Sequence, residues 1–444
     1  MEQLVPAEAV AAWFFEPELR RGDMLRDGRV DQLATWLMAL KMMGVVPREG
    51  RIVADVVGTV PLLARRPHAV VLLDVAARPL TDEDSYRVDD LQAALLFDGG
   101  PLAEVFDRRL RDLLASYTDS EQGRLENLNL GNFRGHRLTD RRLPDWAVIE
   151  WCNIDSIYVV AVGRGTLGKV LTVIGRNGPS LADDAWFAKN RSEQKGTDGG
   201  ITVYVNCTLA RKRLESVIPD RPARVLQILH LESTEKVLFR FGYQDRVLHG
   251  TMATRDRDGR EDIRPLTETR PPPETAIIPD QANRYVIFNY PLAEKFEQIR
   301  QAYLAGRSPD SRQAREHAWD WLEEKFQFNL QNDLLDRLGE YLIIHDYPPH
   351  PLGLGVFRTI CIQYHGPREP VAAAVDKLMS AWQWCLQVPA GTLPTGLSPQ
   401  LKRDEQGLWY FQLGLVGPAM AVTDGWIVIS HSPQAVRDYA NIRK

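Results

Sequence analysis

One pattern occurs twice in this sequence, and it constrains the fold more than any single motif. Residues 91–97 read as a strand and end in Asp98-Gly99-Gly100-Pro101; Val105, Phe106, Leu110, Leu113, Leu114 and Tyr117 then repeat at helical spacing. Residues 357–364 also read as a strand, end in His365-Gly366-Pro367, and are followed by Val371, Ala374, Val375, Leu378, Met379 and Trp382 at the same spacing. A proline just inside a helix start has a preset φ and gives up an amide that would be unpaired there anyway. Downstream the match continues. The apolar runs 146–151 and 157–162 pair with 418–422 and 426–430, and Asp424-Gly425 between the latter two is a hairpin signal. Short helices then follow at 167–174 and 434–442. Upstream, residues 11–19 echo 285–292, and a helix-then-strand reading of 51–63 and 69–75 echoes 332–338 and 341–345.

Between the copies, residues 263–280 hold Pro265, Pro271, Pro272, Pro273 and Pro279, which favours extended, non-helical backbone. The expected organisation is a first α+β lobe over 1–262, with extra strand, helix and hairpin material in 178–262. A Pro-rich linker over 263–282 and a second α+β lobe over 283–444 complete it. The expected fold class is α+β: two related lobes arising by internal duplication, with mainly antiparallel sheets and helices packed on them. A doubly wound parallel sheet would need regular strand–helix alternation, which the pattern lacks.

Composition excludes several function classes. With 54 Lys+Arg against 59 Asp+Glu over 444 residues, the net charge of −5 offers no basic excess for nucleic acid. The longest basic run, Arg211-Lys212-Arg213, is under one helical turn. No run reaches the roughly 18 apolar residues of a spanning helix. The first residues show neither a basic segment nor an apolar core, so no secretory signal is expected in this chain. Cys152, Cys207, Cys361 and Cys385 form no CxxC pair and are expected to be buried free thiols.

The motifs are few. Gly163, Gly165, Gly168 and Lys169 satisfy both GxGxxG and GxxxxGK, after a strand and before a helix, but Val170 stands where a phosphate loop places its hydroxyl. The preceding strand belongs to a hairpin rather than a βαβ unit, and Ser180 to Asp183 reads better as a capping box. A nucleotide-binding enzyme using this loop is therefore the alternative reading. His345 and His350, with Asp346, are the densest candidate metal cluster, although a metal needs three or four converging ligands. Glu104, Asp107 and Arg108, like Glu323, Glu324 and Lys325, lie on striped helices and read as solvated faces. Trp319 and Trp321 are two apart on a helix and so point different ways, as do Trp382 and Trp384. They are the candidate interaction surface, for a protein partner or an apolar ligand. A carrier holding an apolar ligand between the lobes is a second alternative. No cofactor is expected.

Several segments carry a family resemblance: residues 180–187, Tyr204-Val205-Asn206, residues 332–339, and the closing Asp424-Gly425-Trp426-Ile427-Val428-Ile429. In these the chain resembles a bacterial family of unknown function, commonly exported or envelope-associated and well populated in planctomycetes. The resemblance implies a place in the periplasm or cell envelope and supplies no activity or catalytic residues. Together these readings point to a non-enzymatic binding or envelope-associated interaction protein.

Overall fold

Alternation sets the pattern at once: in the first strand Ala12 and Phe14 are buried while Trp13 between them is exposed. The computed structural model describes residues 1–16, 66–79, 86–100, 103–118, 123–192, 198–215, 232–244, 247–267, 277–289, 291–305, 309–349, 359–387, 400–412 and 417–442. The chain divides into two compact units, Met1–Gln244 with Gly250–Arg264, and Asp245–His249 with Pro265–Lys444.

In the first unit the strands are β1 (Ala11–Glu16), β2 (His68–Pro79), β3 (Tyr86–Asp98), β4 (Gly123–Leu130), β5 (Phe133–Asp140), β6 (Ile149–Ile154) and β7 (Ile157–Val162). Helix α1 (Ala103–Thr118) lies between β3 and β4, and α2 (Thr166–Ile174) follows β7. The meander β4 to β7 folds back so that its last strand, not its first, pairs with β3. The spatial order is β1-β2-β3-β7-β6-β5-β4, antiparallel throughout. Beyond β1 the sheet continues through β8 (Asp198–Asn206) and β9 (Thr234–Gln244), again antiparallel. Two further helices, α3 (Ala185–Ser192) and α4 (Cys207–Glu215), belong to this added segment, and β10 (Val247–Asp256) and β11 (Glu261–Pro265) follow it.

The second unit contains β12 (Tyr285–Asn289), α5 (Leu292–Ala305), α6 (Pro309–Phe326), β13 (Leu338–His345), β14 (Thr359–Tyr364), α7 (Arg368–Gln387), β15 (Gln400–Arg403), β16 (Trp409–Gln412), β17 (Ala419–Thr423), β18 (Trp426–Ser430) and α8 (Pro433–Ile442). Its order is β12-β13-β14-β18-β17-β16-β15, also antiparallel throughout. Strand for strand this is the seven-strand order of the first unit. A helix again follows the third strand and another closes the series.

Packing repeats as well. On β7, Tyr158 meets Phe106 of α1 edge-on at 4.9 Å, while its neighbours Val159 and Ala161 join Leu167, Val170 and Leu171 of α2. Successive strand residues point to opposite faces, so α1 and α2 cover opposite sides of one sheet. On β18, Ile427 packs with Val371, Val375 and Met379 of α7, whereas Trp426 and Val428 pack with Val436 and Tyr439 of α8. Ile277, within the stretch expected to be linker, is buried in this last cluster, and its carbonyl accepts the Tyr439 hydroxyl. The expected hairpin at Asp424-Gly425 is present, with Thr423 facing Trp426 and Gly425 at φ 77°. Ser180 and Asp183 form a capping box, as the sequence indicates, opening a 3-10 turn at Leu181–Asp183.

Candidate functional site

The glycine turn after β7 is built by close approach. Gly163 has φ 99°, and a Cβ there would lie 1.9 Å from the Leu91 carbonyl oxygen. Its amide donates to the Val148 carbonyl at 2.9 Å. Gly165, at φ 74°, caps α2 in the left-handed conformation. The Arg164 Nε donates to the Asp145 carbonyl at 2.8 Å, and Lys169 Nζ donates to Gln92 Oε1 at 2.8 Å. Gly168 lies on α2 itself. In the second unit Ser432 occupies the corresponding turn before α8, its hydroxyl accepting from the Ala435 amide at 3.1 Å.

His345 sits fully buried at the end of β13. Its ring stacks on Tyr439 at 5.5 Å. Nδ1 accepts from the Tyr347 amide at 3.3 Å, so in the neutral ring Nε2 carries the hydrogen and faces Cys361 Sγ at 3.8 Å. Burial pushes its pKa down to about 4. His350 lies outside the described residues, and among the described residues no three His, Cys, Asp or Glu side chains converge as a metal site. Cys152, Cys207 and Cys361 are free and buried; burial raises the Cys152 thiol to about 12, leaving it protonated at neutral pH. The side chain of Cys385 is outside the described set.

The four candidate tryptophans lie on α6 and α7 of the second unit. Trp319 and Trp321 on α6 are 37% and 46% exposed, and Trp382 on α7 is 49% exposed. Trp384 is half-buried and packs against Trp321 at 5.2 Å. Lys325 Nζ lies over both of these rings, 3.5 Å from the Trp384 centroid and 4.6 Å from that of Trp321. Trp382 meets Phe411 edge-on at 5.7 Å. The indole of Trp319 donates to Glu323 at 2.9 Å.

The sequence reading missed a polar cleft of about 990 Å³ in the first unit, between α1 and the sheet. Glu104, Asp107, Arg108 and Arg111 line it from the helix; Asn127, Asn129, Arg134, His136 and Asn153 line it from β4, β5 and β6. Asp107 was expected on a solvated face, and the structure corrects this: it is buried, accepting from the Trp151 indole at 3.3 Å, from the Tyr158 hydroxyl at 3.1 Å and from Arg111. The cause is tertiary. Asp107 follows the buried Phe106 by one residue, near enough to the packed stripe for the sheet aromatics to reach it. The one sequence signal was Trp151 and Tyr158 on neighbouring strands, whose N–H and O–H need an acceptor when buried.

A counterpart exists in the second unit. A smaller pocket of about 220 Å³ lies between α7 and the sheet, lined in part by Asp376 and Arg403. There Asp376 accepts from the Trp409 indole at 2.7 Å and from Arg403 at 2.7 Å. Each unit thus places a helix aspartate between a sheet tryptophan and an arginine.

No known family matches the chain, and no curated protein is similar to it. Among solved structures, crystal forms III and I of TP0453 match with TM-scores of 0.28 each, at 9% and 10% identity. Each covers 58% of this chain, and 80% and 79% of TP0453 respectively. Crystal form IV of the same protein gives 0.27 at 10% identity, over 57% of this chain and 79% of that one.

Proposed function

We propose that this is a non-enzymatic binding protein whose partner-docking surface is the indole-bearing face of α6 and α7. One observation carries the reading. Trp319, Trp321 and Trp382 are each more than a third exposed, while Val371, Val375, Leu378 and Met379 of α7 and Phe326 of α6 pack into the unit's core. Exposed tryptophan is costly to hydrate and is enriched where proteins bind one another. Among the described residues, no helix is long and apolar enough to cross a membrane, so these side chains are not part of a helical span. Placement at the cell envelope rests on the resemblance in residues 180–187 and 332–339. The shared strand order supports descent of the two units from one duplicated ancestor.

A photo-crosslinking amino acid at position 319 or 382, compared with one at the exposed hairpin residue Asp258, tests the docking surface in cells. Distinct adducts at 319 and 382 that are absent at 258 are expected. Identical patterns at all three positions would refute the assignment. The alternative use of the glycine turn is separable: a saturable thermal shift with ATP, NAD or FAD that Gly165→Asp abolishes would favour a nucleotide enzyme instead.

A further inference from the structure

We propose that the cleft under α1 binds an oxyanion group, phosphate or carboxylate, held by Arg108, Arg111 and Arg134. Three arginines from two elements, α1 and β5, line the cleft, and Asn127, Asn129 and Asn153 line it from β4 and β6. Guanidinium forks bind planar or tetrahedral oxyanions in bidentate fashion, and amides supply the remaining donors. Two carboxylates share the cleft, Glu104 and Asp107, but Asp107 is already committed to Trp151, Tyr158 and Arg111. Among the described residues, Arg108 and Arg134 have no ion-pair partner. At His136, on the cleft wall, burial lowers the pKa and the positive charge of Arg111 lowers it further, outweighing Asp107.

The second unit offers a contrast, because an ion pair spans the pocket under its helix. Arg403 reaches from β15 to Asp376 across the gap, and the pocket is about 220 Å³. In the first unit Asp107 pairs with Arg111, four residues along its own helix, and Arg134 on β5 lines a cleft of about 990 Å³. An open, arginine-lined site of that volume accommodates a small anionic metabolite or one lipid headgroup.

Isothermal titration of the full chain with inorganic phosphate and with acetate, at ionic strength held constant with chloride, tests the proposal. Saturable binding of at least one anion is expected. Arg108→Gln and Arg134→Gln should each weaken it by about tenfold, as loss of one charge-assisted contact does. Arg260→Gln, at a hairpin turn away from the cleft lining, should leave it unchanged. Because Arg108 and Arg134 are exposed side chains, unaltered circular dichroism is expected for both variants. Sedimentation with phosphatidylcholine vesicles, with and without phosphatidic acid, separates the two sources. Arginine-dependent binding only to the acidic vesicles identifies a headgroup, and binding of free anion alone identifies a soluble ligand. The absence of saturable binding by any of these probes, or binding unchanged in both arginine variants, overturns it.

Discussion

The first unit leaves a gap beneath its middle helix that the second nearly closes, though both have one strand order and one helix placement. The difference lies in where the aspartate finds its arginine. Asp107 takes Arg111 from its own helix, while Asp376 takes Arg403 from the sheet. Asp107 still ties α1 to the sheet through Trp151 and Tyr158, but its arginine stays on the helix, whereas Arg403 itself spans from strand to helix. Repeated topology therefore does not give repeated sites, because a few side chains decide whether the space between layers is filled.

The largest expected effect separates two glycines of the turn that closes the first unit's seven-strand series. Gly163→Ala puts a Cβ against the Leu91 carbonyl at a positive φ, and should cost more than about 3 kcal/mol by urea unfolding. Gly165→Ala has open space around its Cβ and should cost about 1 kcal/mol from its φ alone. Equal costs would mean that close approach to β3 is not what fixes Gly163.

His345 gives the second unit a pH dependence. Its folded pKa, about 4, lies below the ordinary value of 6.5, so between these values the unfolded chain binds the extra proton. Its contribution is complete above pH 6.5 and is lost as pH falls toward 4, by roughly 3 kcal/mol at most. His345→Phe should keep the stack on Tyr439 and flatten this slope, read by hydrogen exchange in peptides of the second unit. A slope that survives the substitution would assign the effect to another group.

The paired aspartates come next. Asp107→Ala strands the buried Trp151 and Tyr158 donors and should cost about 2–3 kcal/mol. Asp376 is more exposed, and Asp376→Ala should cost about 1 kcal/mol. Reversal of that order would show that the second node, not the first, anchors its helix. The smallest effect is expected at Lys325, where Lys325→Met removes the contact over Trp321 and Trp384 and should cost about 0.5–1 kcal/mol in thermal unfolding.

Much of the fold was legible because it depends on short-range pattern. Helical spacing at Val371, Ala374, Val375 and Met379 marked the face of α7 that is buried, and Asp424-Gly425 marked a two-residue turn. The capping box at Ser180 and Asp183 was equally local. Ile277 was not legible, since a proline-rich neighbourhood says nothing about which isolated side chain a distant core accepts. The cleft was hidden for the same reason: its arginines are spread over Arg108, Arg111 and Arg134, with a turn and a strand between them.

By itself the sequence left the strands at 123–140 and 400–412 unmarked. It determined the strand–helix–hairpin–helix order at 91–97, 105–117, 146–162 and 167–174 and again at 357–364, 371–382, 418–430 and 434–442, and the antiparallel character of the sheets. These follow from periodicity and turn chemistry, which act over a few residues. Only the tertiary structure decided that Asp107 is buried, that His345 is a core residue stacked on Tyr439, and that one unit opens a charged cleft where the other forms an ion pair. Burial and pairing of charges depend on which distant side chains reach the same point, and that is fixed only when the layers pack.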